Sequence, residues 1–557
     1  MASEIFEETL ELEIGLLEAG AVTADSYPYP SLSPLGRSET RAFRAVILEN
    51  PYLRATFLPA LGGRLLSLFD KRTQIETLHE GPLTPVPGGR RGAHLPSGIQ
   101  LHLDGADRLT SMASVQYAAE EAGDEGEAAL WLAEAVTGTG LSWHLRVTLP
   151  PDRAELRIEV RIFNRTWEEV AYRAGLLIPA LEGCRTDDAA FFTTRIGVIP
   201  ERGKWHGGLE GGSLVLARFR ETRWLAPRQL DTWTVSIVPI SGLSRVDAVS
   251  RYGALMVEDG LLRLQAAEPL NAHKIVLLTR TGQSLEAPLH AYPEEIIEMA
   301  LPEPVVGVAV LDPHKETVLR WGGEWAAVGN ETAPPLPPAR PSPLSEDLEE
   351  ATFDVSSRHL AHALLGDRAL AAGDLAEAEY RYEQALLYNA EDHLTWWMKA
   401  VAQREAGHEG EEVAEMLNAH YLAPLDPALR AESFFRQPRQ EGREPVALLR
   451  PMAEHPENFI EVAALLVEAR LFEPAGRWID EALRHVDLPM LRYLLAYAHL
   501  EATGLDFEAA DQVAAAARLP LAPPFPWRRI EIEAISRLAA RFPADERLRE
   551  LAARSLT

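Results

Sequence analysis

The stretch Leu48-Glu49-Asn50-Pro51-Tyr52-Leu53-Arg54-Ala55-Thr56-Phe57-Leu58-Pro59-Ala60-Leu61-Gly62-Gly63-Arg64-Leu65-Leu66-Ser67-Leu68-Phe69-Asp70-Lys71-Arg72 decides how the first half of this chain folds. Two β-rich runs flank Pro59 and the Gly62-Gly63 pair, and a mixed-charge turn closes the second run. That punctuation predicts a strand, a glycine-forced turn and a strand. Gly63 lets the backbone come close to another segment, and Arg64 emerges beside it.

Outward from this hairpin, Glu4 to Trp321 is mostly period two. Thr9 to Ile14 alternates apolar with acidic residues, as a half-exposed strand does. Leu141 to Leu149, a turn at Pro150-Pro151-Asp152, and Ala154 to Asn164 form a strong hairpin signal. Further runs follow at Leu214 to Phe219, Trp233 to Val238 and Leu261 to Ala266. So much antiparallel strand exceeds a simple sandwich and favours extended, stacked sheets. Residues 329–350 then turn proline-rich, from Ala333 to Pro343, which predicts a semi-rigid linker.

Beyond the linker the period becomes helical and a repeat appears. Ala372-Gly373-Asp374 recurs as Ala406-Gly407-His408, 34 residues on. Leu365-Gly366, Ala369, Ala378, Tyr382 and Ala385 have the spacing of a tetratricopeptide unit, small residues where helices cross and large ones between. Trp396, Ala400, Met416 and Ala419 keep that phase. After an irregular stretch near Pro438 to Pro445 it returns with Phe459, Ala463, Ala475 and Ala482, then Ala509 and Ala516. Four units are predicted.

At 557 residues the chain predicts two or three domains, and 46% hydrophobic with 25% charged residues is globular composition. The 54 basic and 83 acidic residues give a net charge of −29, a field that repels phosphate backbones and anionic membranes. Neither nucleic acid nor membrane is an expected partner. The single cysteine, Cys184, excludes an internal disulfide and a cysteine-based zinc site. The start, Met1 to Glu8, is acidic where a secretory signal is basic then apolar, and no run of about 18 apolar residues occurs. A cytoplasmic location is the expectation.

The Leu48–Arg72 segment resembles the entry to a bacterial mutarotase-like domain of unknown function, a β-supersandwich related to aldose epimerases and often followed by tetratricopeptide repeats. Three more blocks carry the likeness: Tyr27-Pro28-Tyr29-Pro30; Arg91-Gly92-Ala93-His94-Leu95-Pro96-Ser97-Gly98-Ile99-Gln100-Leu101-His102-Leu103; and Thr148 to Arg153 with Phe163 to Thr166. The resemblance implies a galactose-mutarotase-like β-supersandwich over residues 1–325. A linker over 326–353 and an α-solenoid of tetratricopeptide-like hairpins over 354–557 follow. It also implies sugar handling. In aldose epimerases a glutamate acts as base at the anomeric hydroxyl while a histidine donates to the ring oxygen, which requires the two on opposite sides of one sugar. Glu298, in Glu294 to Met299, falls on the family's glutamate strand. Departures are plain: Gln100 stands where a glutamate is expected, the histidine pair between Asp104 and Tyr117 is missing, and Ala174 to Pro179 holds no histidine. An amide binds hydroxyls but is no base.

The candidate site therefore consists of Glu298 as base, His206 as acid, and Arg64, His94, Gln100, His102 and Trp205 as substrate-binding groups. Each has a plainer alternative. Arg64 can be a turn arginine held by strand carbonyls; Gln100 and His102 can be one solvated strand face; Trp205-His206-Gly207-Gly208 can be a glycine-rich loop; Glu298 can be a solvated carboxylate beside Glu294 and Glu295. Asp187-Asp188 reads as an exposed acidic turn. No metal and no cofactor are expected. Two functions stay open: a carbohydrate-binding or carbohydrate-processing protein whose helical repeats take a protein partner, or a non-catalytic interaction scaffold with a degenerate sugar site. If it is an enzyme, it is expected to act without metal at an anomeric carbon, as an epimerase or a glycoside hydrolase.

Overall fold

The computed structural model describes residues 2–23, 26, 29–78, 82–103, 111–122, 126–136, 139–179, 185–186, 190–193, 195–201, 206–210, 213–217, 222–301, 304–322, 326–327, 337–340, 347–408, 410–436, 457–504, 506–521, 525–526 and 528–555. The deciding stretch folds as expected. Strands Leu53–Leu58 and Arg64–Asp70 pair antiparallel around a single turn of 3-10 helix, Pro59–Leu61. Gly62 and Gly63 close that turn at φ of 75° and 69°, a region costly for residues with a Cβ. A Cβ on Gly62 would also sit 2.6 Å from the Ser111 carbonyl oxygen. With Glu4–Val22, Pro30–Glu49 and Ile75–Glu76 these strands form a five-stranded sheet in chain order.

A nine-stranded sheet follows, ordered Ala326–Ala327, Arg185–Thr186, Phe191–Phe192, Ile196–Pro200, Leu230–Pro239, Leu156–Asn164, Leu141–Leu149, Ala128–Val136, Gln116–Glu120. The predicted hairpin is its centre, with Leu145 opposite Val160. A four-stranded sheet runs His206–Glu210, Ser213–Ala217, Ala174–Pro179, Gln100–Leu103. Another runs Ala248–Ser250, Gly253–Glu258, Leu261–Ala266, Ile296–Ala300. Inward residues such as Leu130, Leu145, Val160 and Val235 fill one core between sheets. The mixed-charge turn after the first hairpin locks them together. Buried Arg72 chelates Asp70 and donates to the carbonyls of Pro239 and Ala266, so one guanidinium joins three segments distant in sequence.

The helical half consists, among the described residues, of α1 (Arg358–Ala372), α2 (Leu375–Tyr388), α3 (His393–Glu405), α4 (Glu411–Leu422), α5 (Pro427–Arg436), α6 (Glu457–Glu468), α7 (Phe472–Ala482), α8 (Pro489–Thr503), α9 (Asp506–Ala517), α10 (Arg529–Arg541) and α11 (Glu546–Ser555). The repeat phase read from sequence marks the helix crossings: Ala378, Ala400, Ala419, Ala463, Ala475, Ala482, Ala509 and Ala516 are all fully buried. Five hairpins pair where four were predicted, because α10 and α11 also pack together. Gly366 shows why the first unit needs its glycine, since a Cβ there would lie 2.6 Å from the buried Tyr382 ring. Gly366→Ala is expected to lower stability by about 1–3 kcal/mol through overpacking. Urea unfolding measures it, and an unchanged midpoint would mean the ring has room to move. Among the described residues no helix is long and apolar enough to cross a membrane.

The segment expected to be a semi-rigid linker over 326–353 is tied down where it is described, and near its end Leu348–Ala351 forms a short helix with Leu348 and Ala351 buried. Ala326–Ala327 pairs with Arg185–Thr186, and Arg340 exchanges backbone hydrogen bonds with Glu169 while its guanidinium lies 3.7 Å from the Trp224 ring centre. Most of the proline run lies outside the described residues.

The two halves also meet directly. Strand alternation puts Gln116, Ala133, His144, Arg161 and Thr232 in one row on the sheet face turned away from the β core. The helices lie on that face. Phe163 joins the helical core, its ring edge-on to His393 at 4.5 Å, and Trp131 and Ala133 pack on Leu425. Three arginines address helix ends. Arg161 donates to the last carbonyls of α4, Tyr421 and Leu422, at 2.9 and 3.1 Å. Arg165 faces Asp426 at 3.5 Å, and Arg228 faces Asp392 at 3.9 Å. Asp392 and Asp426 are the capping residues of α3 and α5, each accepting from two backbone amides. They stand 34 residues apart, so one position of the repeat serves twice as both cap and docking point.

Candidate functional site

Arg64 sits at the centre of the expected site, but its side chain is 0% exposed. Its donors go to the carbonyl oxygens of Leu61, Leu95, Ser97 and Ser111, and to Gln100 Oε1 at 3.0 Å. Burial pulls the guanidinium down to about 9, so it remains charged at neutral pH. The expected fork onto a sugar is therefore replaced by the plainer alternative: Arg64 clamps the Gly62-Gly63 turn to two neighbouring segments. It reaches any ligand only through Gln100.

Gln100 and His102 share one face of the strand Gln100–Leu103, as alternation predicts, because Leu101 and Leu103 enter the β core. Both are buried rather than solvated. Gln100 has spent its oxygen on Arg64, and its Nε2 amide is a buried donor with no acceptor. Ser111, 3% exposed, lends its carbonyl to Arg64, while its hydroxyl also lacks a partner. Sequence reasoning missed Ser111; only Gly62 pressing on its backbone reveals it. His94 is fully buried in the short ribbon Val86–Pro87/Ala93–His94, its ring against Gly88.

His206 lies in the same cross-strand row as His102, through Gly175 and Ala217. Three strand spacings separate the two backbones, about 14 Å. The His206 side chain and all of Trp205 lie outside the described residues, as does Asp187-Asp188. Glu298 is elsewhere. Its strand, Ile296–Ala300, belongs to another sheet, where register sets it opposite Arg263. The carboxylate accepts from Arg263 Nε at 2.6 Å with its side chain 54% exposed. The structure does not bring it to Arg64, Gln100 or His102.

A polar cavity lies where the halves meet. Gln116, Ser142 and His144 line it from the sheet, and Asp426, Asn458 and Glu461 from the helices. Its volume, about 20 Å³, is room for a water or two and not for a sugar ring. Ser142 Oγ and His144 Nε2 are buried in it without partners. Burial, then the charge of His393, pulls the His144 imidazole down to about 3 against an opposing pull from Asp426, with smaller contributions from Arg161 and Arg165. Burial alone would raise the Asp426 carboxyl, yet Arg165 and His393 hold it well below the usual carboxylate range. Among the described residues no group of three or more histidine, cysteine or acidic side chains is disposed to hold a metal ion.

Residues 22–197 match the family model described as a domain of unknown function (DUF5107). Every block that carried the sequence resemblance falls inside this span, and Glu298 falls outside it. Among solved structures, the chain is similar to a TPR-domain containing protein from Parabacteroides distasonis ATCC 8503, at 13% identity over 97% of this chain and 96% of that one, with a TM-score of 0.31. It is similar to a galactose mutarotase-like protein from Clostridium acetobutylicum, at 8% identity over 35% of this chain and 95% of that one, with a TM-score of 0.26. A galactose mutarotase-like protein from Lactobacillus casei ATCC 334 shows 14% identity over 50% of this chain and 98% of that one, with a TM-score of 0.20. Identities and scores of this size carry no argument about activity.

Proposed function

We propose that the protein is a non-catalytic carbohydrate-recognition protein, with the sheet face bearing Gln100 and His102 as its sugar-facing surface and the docked helical array as its interaction module. The observation that carries this reading is the pair of buried polar groups without partners, the Gln100 amide and the Ser111 hydroxyl, on two residues held by the same Arg64 nitrogen. Buried donors are nearly always paired, so each calls for an occupant rich in hydroxyl oxygen. Neutral donors around a fixed cation suit a neutral sugar, with His102, on the same strand face as Gln100, as a flanking contact. The reading assigns no proton transfer to Glu298.

Calorimetric titration of the full chain with mono- and oligosaccharides tests it. At least one neutral sugar is expected to bind, and Gln100→Leu to weaken it by about tenfold or more, one lost buried hydrogen bond being worth about 1–3 kcal/mol. If no sugar binds, or Gln100→Leu binds as well as the wild type, the scaffold reading replaces this one. The immobilised Arg64 favours that second reading, because its donors are spent on Leu61, Leu95, Ser97, Ser111 and Gln100 and none is left for a sugar.

A further inference from the structure

Helix α4 leaves a stripe of large apolar side chains in solvent. Val413, Leu417 and Tyr421 are 53%, 65% and 73% exposed and follow one another at i, i+4 and i+8, which places them on one face. Its opposite face is the one that packs, with Ala419 fully buried. The stripe continues on the preceding repeat. Leu387 of α2, also largely exposed, stands 34 residues before Tyr421 at the same position of the hairpin. A stacked array brings equivalent positions into line, so two repeats extend one surface. Exposed apolar residues grouped like this differ from the scattered ones that any protein surface carries.

The charges around the stripe are acidic. Helix α4 holds Glu411 and Glu412 and neither lysine nor arginine, its third carboxylate, Glu415, being turned inward onto Lys399 at 2.9 Å, and Glu383 of α2 is exposed one repeat before Leu417. Two copies of this chain meeting through the same face would set these carboxylates against one another, within a chain of net charge −29. A like-charged self-contact is therefore disfavoured. At its far end the stripe reaches the docking interface, where the Arg161 guanidinium lies 5.6 Å from the Tyr421 ring centre. Its end point is thus held rigidly by the β half.

We infer that the Val413–Leu417–Tyr421 face, extended by Leu387, is a docking surface for an amphipathic helix of a partner protein that presents an apolar stripe flanked by lysine or arginine. The apolar spacing matches helix-in-groove recognition, and the acidic rim selects the basic partner.

Fluorescence anisotropy with the full chain tests this, using a labelled amphipathic peptide of leucine and lysine at helical spacing and its leucine–glutamate counterpart. The lysine peptide is expected to bind at least about tenfold more tightly than the glutamate peptide. Leu417→Ser and, separately, Val413→Ser are expected to weaken the lysine peptide by about tenfold, while circular dichroism and Tm stay as in the wild type. These changes alter no charge, so attraction to an acidic surface at large would survive them. Equal affinity in both serine variants would overturn the proposal, as would equal binding of the two peptides. A wild-type dimer in sedimentation equilibrium that Leu417→Ser dissociates would overturn it in favour of a second copy.

Discussion

Arg64→Leu is expected to destabilise the full chain by on the order of 5 kcal/mol, enough to unfold the β half under mild denaturant. The leucine fills much of the volume, so the loss is in hydrogen bonding. Arg64 satisfies four backbone carbonyls, of Leu61, Leu95, Ser97 and Ser111, besides Gln100 Oε1. An acceptor left buried and unmade costs about 1–3 kcal/mol, and partial relaxation keeps the total below the sum. Arg64→Lys keeps the charge but not the planar fork, so it should fall between the two. Urea unfolding of the three proteins measures the order. If Arg64→Leu is as stable as the wild type and loses only sugar affinity, Arg64 is a ligand-binding residue after all and the clamp is incidental.

The Pro59 and Gly62-Gly63 punctuation is local chemistry, visible without knowing what lies nearby, and it located both strands and the turn. Whether the guanidinium meets a ligand or a carbonyl depends on Leu95, Ser97 and Ser111, which arrive from over 30 residues away. The helical half was legible for the same reason: alanines every 34 residues and the Gly366–Tyr382 contact are constraints within one hairpin. Glu298 shows the opposite case. Its strand was legible, but a carboxylate's role follows from the partner strand, and the register supplied Arg263 in solvent instead of a buried pocket.

The docking of the helices on the sheet was not legible at all. Each of its parts has an ordinary local reading: Asp392 and Asp426 are helix caps, and Arg161 and Arg165 are charges at the end of an alternating strand. Only the recurrence of aspartate at the same repeat position hinted at a second use. Docking also changes what the proline-rich segment implies. Cleavage there should leave two pieces held together by Phe163, Arg161, Arg165 and Arg228, and not two separate halves.

The strength of that association is expected to depend on pH through His144. The imidazole is neutral in the folded chain, pulled to about 3 by burial and by His393, Arg161 and Arg165, whereas an unfolded histidine titrates near 6.5. Below pH 6.5 the unfolded chain thus binds a proton that the folded chain refuses. Stability is fully present above that pH and falls by about 1.4 kcal/mol per unit down to pH 3. The expected loss is about 2 kcal/mol at pH 5 and up to about 5 kcal/mol near pH 3. The groups facing the ring offer little relief. Gln116 and Ser142 are neutral, the carboxylates Asp426 and Glu461 already face Arg165 at 3.5 and 3.3 Å, and the buried Glu134 lines the cavity as a third carboxylate. Asp426 adds to the loss at the acid end, because its depressed carboxyl stabilises the fold above the ordinary carboxylate range and ceases to as pH falls through it. His144→Phe keeps a ring of similar size and removes the titration. It should match the wild type within about 1 kcal/mol at pH 7 and exceed it by about 2 kcal/mol at pH 5. Urea midpoints at the two pH values decide this, with small-angle scattering reporting whether the halves separate first. Equal losses in both proteins between pH 7 and pH 5 would mean that His144 finds a proton acceptor in the cavity and that acid acts elsewhere on the interface.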